Sequence, residues 1–366
     1  MTARQFERLD AEIARAEGVF EREVLKSRRA ALLARHGMFS EARFALAGMR
    51  SQSQRLRQPT LVAWVALVDG LIEHCETLAP GARDKFRRAR DLAGEAGDTP
   101  LQADCAAWLS VADLNANDAA AMVANASEAM RLAAPDAHAT LARVALVVGD
   151  AWRFAGEDER AQPWYQRVRR HAAAEGDVSL VSMLLYNMAA FRAYRISLDD
   201  AFGHADVDQA RRVLLEAEST GNFDAGVGNA QLGAQVPLLR AQLMVIVGRH
   251  DEAVALIDGT IARARGEGLA HREARFLADA AHAEVRLGRL DEAARRLRQV
   301  QSVVDLVTDD DDIAGTHARL AGVALALGRQ EAAETHRREA QAALQRHREA
   351  QQRWVQALRE AGLEDA

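Results

Sequence analysis

A short pattern of apolar, small and charged positions returns along the chain at a constant distance. Its clearest copies are VGRHDEAVALI (Val247–Ile257), LGRLDEAARRL (Leu287–Leu297) and LGRQEAAETHR (Leu327–Arg337), and each begins 40 residues after the one before it. One such unit cannot bury its apolar face alone, whereas stacked copies can. The pattern therefore predicts an array of similar structural units.

Two small residues mark each unit. The alanine of the phrase G-R-x-D-E-A, weaker copies included, falls at Ala42, Ala82, Ala119, Ala161, Ala201, Ala253, Ala293 and Ala333. The residue twelve positions earlier is also Ala or Gly in every unit, at Ala30, Gly70, Ala107, Gly149, Ala189, Ala241, Ala281 and Ala321. Small residues at two fixed points, one in each helix, let two helices cross closely. The spacing predicts about eight helical hairpins.

A glycine separates the two predicted helices in five of the units. It stands five residues before the repeated alanine, at Gly37, Gly156, Gly248, Gly288 and Gly328. Glycine tolerates the positive φ that commonly ends a helix. The Asp or Ser that follows favours the start of a second helix, whose amino end is positive.

This pattern resembles the tetratricopeptide repeat superfamily, in which a helical hairpin of about 34 residues carries small side chains at these points. In the copy at Leu141–Val168 the expected positions hold Gly149, Trp152, Gly156 and Ala161. The units here are longer, which is similar to the repeats in sensor regions of bacterial signalling proteins. The resemblance covers roughly residues 20 to 345. It implies an all-α, right-handed α-solenoid of about eight hairpins with terminal capping helices.

The repeat also divides the chain into segments. We expect a lead-in helix over 1–22, units one to five over 23–220, a glycine-rich loop or joint over 221–229, units six to eight over 230–345, and the end of a capping helix with a tail over 346–366. Unit five is twelve residues longer than its neighbours, and the surplus includes GNFDAGVGN. This segment is either a plain insertion between hairpins or a hinge or partner-contact loop.

The last predicted helix has an apolar side with Ala340, Leu344, Trp354 and Leu358. A helix that caps the open end of the stack is the simple explanation. A coiled-coil contact, giving a homodimer through this helix, is the alternative. Just before the last unit, TDDDDI lacks the glycine and the alternate ligand spacing of a calcium loop, which favours an acidic, helix-starting loop.

Composition agrees with a helical class and narrows the partners. Apolar residues make up 49% of the chain but aromatic residues only 5%, and there are six prolines. The net charge of −6 with mixed signs argues against a general nucleic-acid binder. Cys75 and Cys105 stand in helical apolar patterns outside any CxxC pair, which favours free thiols in a reducing compartment. We see no signal peptide or membrane span and expect a cytoplasmic protein without membrane contact.

Motifs for catalysis are missing from the sequence. No P-loop, GxGxxG after a strand, HExxH or GxSxG occurs, and the eleven histidines are scattered. We therefore expect no enzyme, no catalytic residues, no cofactor and no metal site.

The resemblance implies where a partner would bind. In that family the first helix of each hairpin lines the concave face, with its second, fifth, ninth, twelfth and thirteenth positions pointing inward. The candidate groove residues at these positions are Trp108, Leu146, Asp150, Arg153, Phe154, Tyr186, Tyr194, Gln242, His282 and Arg286. Tyr and Trp anchor interfaces, and Arg pairs with carboxylates. Packing of Trp108, Phe154 and Tyr186 between hairpins as ordinary core is the alternative.

These features predict a non-catalytic scaffold or adaptor that binds a protein or peptide segment in its groove. The alternative is a ligand- or peptide-sensing regulatory module of a bacterial signalling or transcription-control system, with 221–229 as the joint.

Overall fold

The computed structural model describes residues 2–227 and 233–364, and these residues form seventeen α-helices and no strand. The predicted all-α class is therefore confirmed. Helix α1 (Thr2–Arg15) stands alone at the start. The remaining helices form eight successive pairs: α2 (Val19–Arg35) and α3 (Phe39–Leu56), α4 (Pro59–Thr77) and α5 (Gly81–Glu95), α6 (Thr99–Asn115) and α7 (Ala119–Leu132), α8 (His138–Phe154) and α9 (Asp158–Glu175), α10 (Val178–Ala201) and α11 (Val207–Val227), α12 (Gln235–Ile246) and α13 (His250–Gly266), α14 (Glu273–Arg286) and α15 (Leu290–Gln301), α16 (Asp310–Ala326) and α17 (Gln330–Glu360).

The small residues of the repeat lie where the two helices of a pair touch. All eight positions twelve residues before the repeated alanine are buried. Gly149 shows why: a Cβ at this position would lie 2.8 Å from Cε1 of Tyr165 on α9. Gly70 is in the same situation against Phe86 on α5. The pattern therefore predicted the crossing points at Gly70 and Gly149 correctly. In unit five the prediction for the second helix is wrong, because Ala201 is the last residue of α10 and α11 begins only at Val207.

The glycines of the repeat end the first helix of their pairs, as expected. Gly288 has a φ of +74°, and its four equivalents, Gly37, Gly156, Gly248 and Gly328, also have positive φ. The Gly288 amide donates to the Val285 carbonyl at 3.0 Å, and the next amide, of Arg289, donates to Glu284 at 2.9 Å. This pair of bonds satisfies carbonyls that the helix end leaves unpaired.

The chain divides into two compact units. Unit 1 comprises Met1–Leu184, Asp224–Gln231 and Gln352–Ala366, and unit 2 comprises Leu185–Phe223 and Leu232–Gln351. The first boundary lies inside α10, after Leu184, and the next lies after Phe223, within the predicted joint, 221–229. Helix α11 continues to Val227, so the first seven residues of that segment are helical, while 228 and 229 lie outside the described residues. Glycine in a helix costs only about 1 kcal/mol, which lets a helix run through such a segment.

Unit 1 is built on the first helices of its pairs. Helix α2 packs on α4 and α6 packs on α8, and α5 and α7 each pack on the first helix of the following pair. The core contains Trp64, Leu67, Leu71 and Phe86. We call α2, α4, α6, α8, α10, α12, α14 and α16 the first helices.

The end of α17 belongs to unit 1 and closes part of its core. Trp354 and Leu358 are fully buried, whereas Leu344 is only partly buried. Nε1 of Trp354 donates to Oδ1 of Asn117 at 2.6 Å, and Nε1 of Trp152 donates to the Leu363 carbonyl at 2.8 Å. The apolar side of the last helix thus contacts its own chain here. A homodimer through this helix stays a prediction.

Unit 2 repeats the same packing. Helix α14 packs on α12 and on α16, and α13 and α15 pack on the first helices that follow them. Its core includes Leu277, Ala281, Leu297, Val300 and Leu320. Among the described residues, no helix combines the length and the apolar character needed to cross a membrane.

Candidate functional site

Side chains from several first helices meet in the interior of unit 1. Arg143 comes from α8, Trp108 from α6, His74 from α4 and Arg35 from the end of α2, while Asp177 stands directly before α10. We call these five residues the Arg143 cluster. Each occupies or adjoins a first helix, so the hairpin repeat itself places them together.

Arg143 is the unusual member of the cluster. It is only 5% exposed, and its guanidinium carbon lies 3.4 Å from the centre of the Trp108 ring. Its Nε is fully buried without an acceptor, and no carboxylate of the described residues forms an ion pair with it. Its terminal nitrogens also make no hydrogen bond there but are not fully buried, so they face accessible space. Buried guanidinium groups without acceptors are uncommon because an unpaired buried charge is costly.

The environment of Arg143 destabilises its charged form. Burial and then the positive charge of Arg35 lower its pKa to about 9, against the opposing effect of Asp104 and Asp177. The group is still a cation at neutral pH. Asp104 is partly exposed and close enough to influence this pKa, but it does not pair with Arg143.

Arg35 and Asp177 form an ion pair with each other. A terminal nitrogen of Arg35 donates to Oδ2 of Asp177, whose Oδ1 accepts the Leu180 amide at 3.0 Å and so caps α10. Burial acts to raise the pKa of Asp177, yet Arg35 outweighs it and the pKa is lowered. Oγ of Ser179 also donates to the Arg35 carbonyl at 3.1 Å. The end of α2 is therefore joined to the start of α10 inside unit 1.

His74 contributes a neutral imidazole. Its ring centre lies 5.9 Å from that of Trp108, in an edge-on arrangement. Burial and the charge of Arg143 lower the pKa of His74 to about 4. A neutral imidazole carries one N–H donor and one acceptor, so His74 can donate to a ligand at neutral pH.

Unit 2 has a polar cluster of its own, and there the charges are matched. Asp279 is completely buried and accepts from Arg275 at 2.8 Å and from Nε of Arg319 at 2.9 Å. Arg319 also pairs with Asp200, and Arg275 donates to the Ser197 carbonyl at 3.2 Å. Because each cation has an acceptor, this cluster joins neighbouring hairpins and leaves no charge unmatched.

The groove residues predicted in hairpins three and four are mostly in contact with their own unit. Trp108 and Leu146 are buried. Asp150 accepts the Tyr165 hydroxyl at 2.8 Å, Arg153 pairs with Asp158 at 2.8 Å, and the Phe154 ring lies edge-on to Trp354 at 5.8 Å.

The predicted tyrosines are also engaged. Tyr186 is 7% exposed, and its hydroxyl lies 3.0 Å from that of the partly buried Tyr194. The Arg272 guanidinium stacks on the Tyr194 ring at 4.1 Å and pairs with Asp312 at 2.7 Å. Both rings already have partners within unit 2. These contacts agree with the alternative in which Tyr186 packs as ordinary core.

The last three predicted residues differ in exposure. Gln242 is buried and its Nε2 lies 3.3 Å from Asp279, so it belongs to the unit 2 cluster. His282 is partly buried, and burial lowers its pKa to about 4, with the nearby Arg319 acting in the same direction. Arg286 alone among the ten is exposed. A role of the ten residues as a partner groove stays a prediction.

Sequence reasoning missed Arg143, although a signal was present. Arg143 stands six residues before Gly149, just as Arg275 stands six residues before Ala281. Both therefore stand at the second position of their hairpins, which is the first of the inward positions. The sequence does not show that Arg275 has acceptors whereas Arg143 has none within the described part of the chain.

A scan of known protein families finds no family whose sequence model matches this chain, and no curated protein matches it in sequence.

Proposed function

We propose that this chain is a non-catalytic regulatory module in which the interior of unit 1 senses a small ligand. The observation that supports the proposal is the convergence of Arg143, Trp108 and His74 from three first helices. An apolar ring with a few convergent polar groups is the usual make-up of a small-molecule site. The proposal includes a tetratricopeptide-type, right-handed α-solenoid arrangement and a bacterial, cytoplasmic setting.

Regulation would use the helix that both units share. The cluster includes Asp177, which caps α10, and α10 runs from unit 1 into unit 2. A ligand that changes the balance of charges beside Asp177 changes the stability of the α10 start. A ligand shifts a conformational equilibrium only as far as it binds the two states differently, and this contact gives a physical basis for such a difference.

A thermal-shift screen of small molecules on the full chain tests the proposal. We expect ligands that raise the melting temperature of the wild type and lose most of that effect in His74→Gln, which keeps size but changes the donor at the site. Arg286→Gln, at an exposed position of unit 2, is the matched control and should keep the full shift. Equal shifts in wild type and His74→Gln for every stabilising compound would contradict the proposal.

A second candidate is the scaffold that binds a protein segment on the first helices. The exposure of Arg286 at the end of α14 favours it, because an exposed arginine can pair with an acidic segment. Photo-crosslinking from position 286 in host cells, compared with the exposed position 298 on the following second helix, tests this candidate. It predicts a single crosslinked segment from position 286, whose binding Arg286→Gln weakens and His74→Gln leaves unchanged.

A further inference from the structure

Two arginines at the same place in two hairpins have opposite surroundings. Arg275 has Asp279 four residues later, on the same face of α14, and the two pair at 2.8 Å. Arg143 has Val147 at the equivalent place, and Val147 is a buried apolar residue. The α8–α9 hairpin therefore carries no carboxylate for its arginine at the place where the α14–α15 hairpin carries one.

We propose that unit 1 binds a small monocarboxylate, which pairs with the Arg143 guanidinium above the face of Trp108 and accepts a second hydrogen bond from His74. The inference rests on the sensing function proposed above and names its ligand class.

The shape of the guanidinium favours a carboxylate. The guanidinium carbon of Arg143 lies 3.4 Å from the Trp108 ring centre. At this distance a planar guanidinium avoids a clash only when it lies roughly parallel to the ring, so its N–H groups point outward past the ring. A carboxylate is planar and meets such an edge with two parallel hydrogen bonds. Stacking on Trp108 also fixes the orientation of the donors before the ligand arrives, which reduces the entropy lost on binding.

The charge balance favours a single negative charge. Arg35 and Asp177 neutralise each other, so Arg143 is the cation of this cluster that has no carboxylate partner among the described residues, with Asp104 in the neighbourhood. A monocarboxylate brings one negative charge and restores neutrality. A phosphate monoester, with about −1.5 to −2 charges at neutral pH, would add excess negative charge beside Asp177 and Asp104.

His74 can donate a second hydrogen bond to the ligand without adding a charge to the site. Its pKa of about 4 keeps the ring neutral at pH 7, and among the described residues its ring takes part in aromatic contacts only. A neutral donor beside a matched ion pair stabilises the carboxylate without a further desolvated charge.

Burial favours a small acid over the end of a protein chain. Arg143 is 5% exposed, and two hydrogen bonds of Arg35, with Asp177 and Ser179, join the end of α2 to the start of α10 beside it. A free acid needs room only for its carboxylate and a short apolar part. A chain terminus would have to bring its backbone, whose polar groups need further partners.

Thermal unfolding of the full chain at matched ionic strength provides the first test. The probes are sodium acetate, inorganic phosphate and sodium chloride. Acetyl-dialanine and its carboxyl amide serve as a chain terminus and its uncharged counterpart. We expect a saturable rise in melting temperature with acetate beyond that with chloride, a smaller rise with phosphate, and no larger rise with acetyl-dialanine than with acetate.

Three variants connect this response to Arg143. Arg143→Gln removes the cation, and we expect the affinity for acetate to fall about thirtyfold or more while the protein stays folded. Val147→Asp copies the Arg275–Asp279 arrangement, and its internal carboxylate should compete with acetate and weaken binding. Arg55→Gln removes an equal charge from an exposed position of α3 and should leave the acetate response unchanged.

The outcomes separate this inference from the function on which it rests. An acetate response that survives Arg143→Gln, or one equal to the chloride response, overturns the carboxylate site. A stronger response to phosphate overturns the monoanion assignment, and a stronger response to acetyl-dialanine than to its amide and to acetate overturns the small-acid assignment. If a compound from the screen still needs His74 while acetate fails, the sensing function stands and the carboxylate inference does not. Because Arg143→Gln removes an unpaired buried charge, circular dichroism should show an intact helical fold. Val147→Asp tests the carboxylate site independently, since it keeps Arg143 and adds a competing carboxylate.

Discussion

Gly149 and the Tyr165 ring lie so close together that no methyl group fits between them. The Tyr165 hydroxyl is held at the same time by Asp150 at 2.8 Å, so the ring cannot swing away without losing that bond. Gly149→Ala should therefore destabilise the chain by about 1–3 kcal/mol, in spite of the better helix propensity of alanine. Urea unfolding followed by circular dichroism measures the change.

Gly48 provides the matched control for this substitution. It lies within α3, is exposed, and has no atom within 4 Å of the position of an added Cβ. Gly48→Ala should stabilise the chain by about 0.5–1 kcal/mol, since only backbone entropy changes. Two substitutions with the same chemistry thus have opposite expected signs. If both stabilise, the close crossing at Gly149 is not the reason for a small residue there.

The roles of individual residues could be predicted from the sequence only in part. The eight small positions and five positive-φ glycines follow from the repeat, because close helix crossing and helix ends impose local rules on residue type. Arg143 and Arg275 obey the same rules and are indistinguishable by position. Their difference depends on whether an acceptor stands four residues later and on which side chains other helices bring near. The candidate site could therefore be located on the first helices, but its unmatched charge required coordinates.

The boundaries of the helices could also be predicted from the sequence only in part. The glycine-rich segment at 221–229 was expected to be a loop, yet α11 continues through its first seven residues. Glycine lowers helix stability without forbidding a helix, so neighbouring residues and packing decide. The apolar side of the last helix was predicted correctly at Trp354 and Leu358, because the helical period alone selects that side.

The end of α17 should be essential to unit 1. Trp354 is fully buried against Phe154 and bonded to Asn117, which makes Trp354→Ala a cavity-forming change with an expected cost of about 3–5 kcal/mol. The neighbouring Arg353 is exposed, and Arg353→Ala should change the free energy of unfolding by less than about 0.5 kcal/mol. Chemical unfolding of both variants measures the difference. Equal effects would mean that this helix end does not contribute to the core of unit 1 in solution.

The two units differ in how their buried arginines are paired among the described residues. In unit 2, Arg275 and Arg319 share the buried Asp279, so the polar groups stabilise the packing of hairpins. In unit 1, burial opposes the charge of Arg143 and lowers its pKa to about 9. Groups whose pKa values are perturbed by burial and neighbouring charges cluster at functional sites. This contrast is the physical reason why we propose a sensing site in unit 1 and not in unit 2.

We expect the whole protein to lose stability in acid because of its histidines. Two pairs bridge the helices of a hairpin: Nδ1 of His138 lies 3.0 Å from Nδ1 of His171, and the same atoms of His317 and His336 are 3.1 Å apart. Burial lowers the pKa of His171, His317 and His336, and His336 lowers that of His317 further, while Glu339 acts in the opposite direction.

The sign of the effect follows from proton linkage. A histidine whose pKa is lowered by folding binds fewer protons in the folded than in the unfolded state, so the free energy of unfolding falls as the pH drops below about 6.5. Asp309 acts in the opposite sense, because burial and then Asp312 raise its pKa to about 7 and its folded form gains protons first. Eight histidines have lowered pKa values, so we expect net destabilisation between about pH 6.5 and pH 4.

Urea midpoints measured from pH 7.5 down to 4.5 test this expectation, and one hairpin can be examined by itself. The double variant His317→Gln, His336→Gln removes one pair and should flatten the fall in stability below about pH 6.5. His204→Gln, at an exposed position, should leave the profile as in the wild type. A double variant with an unchanged profile would show that this pair does not titrate on unfolding. Acid loss would then come from the other histidines with lowered pKa values, among them the buried His36 and the partly buried His74 and His282, whose pKa values burial lowers to about 4.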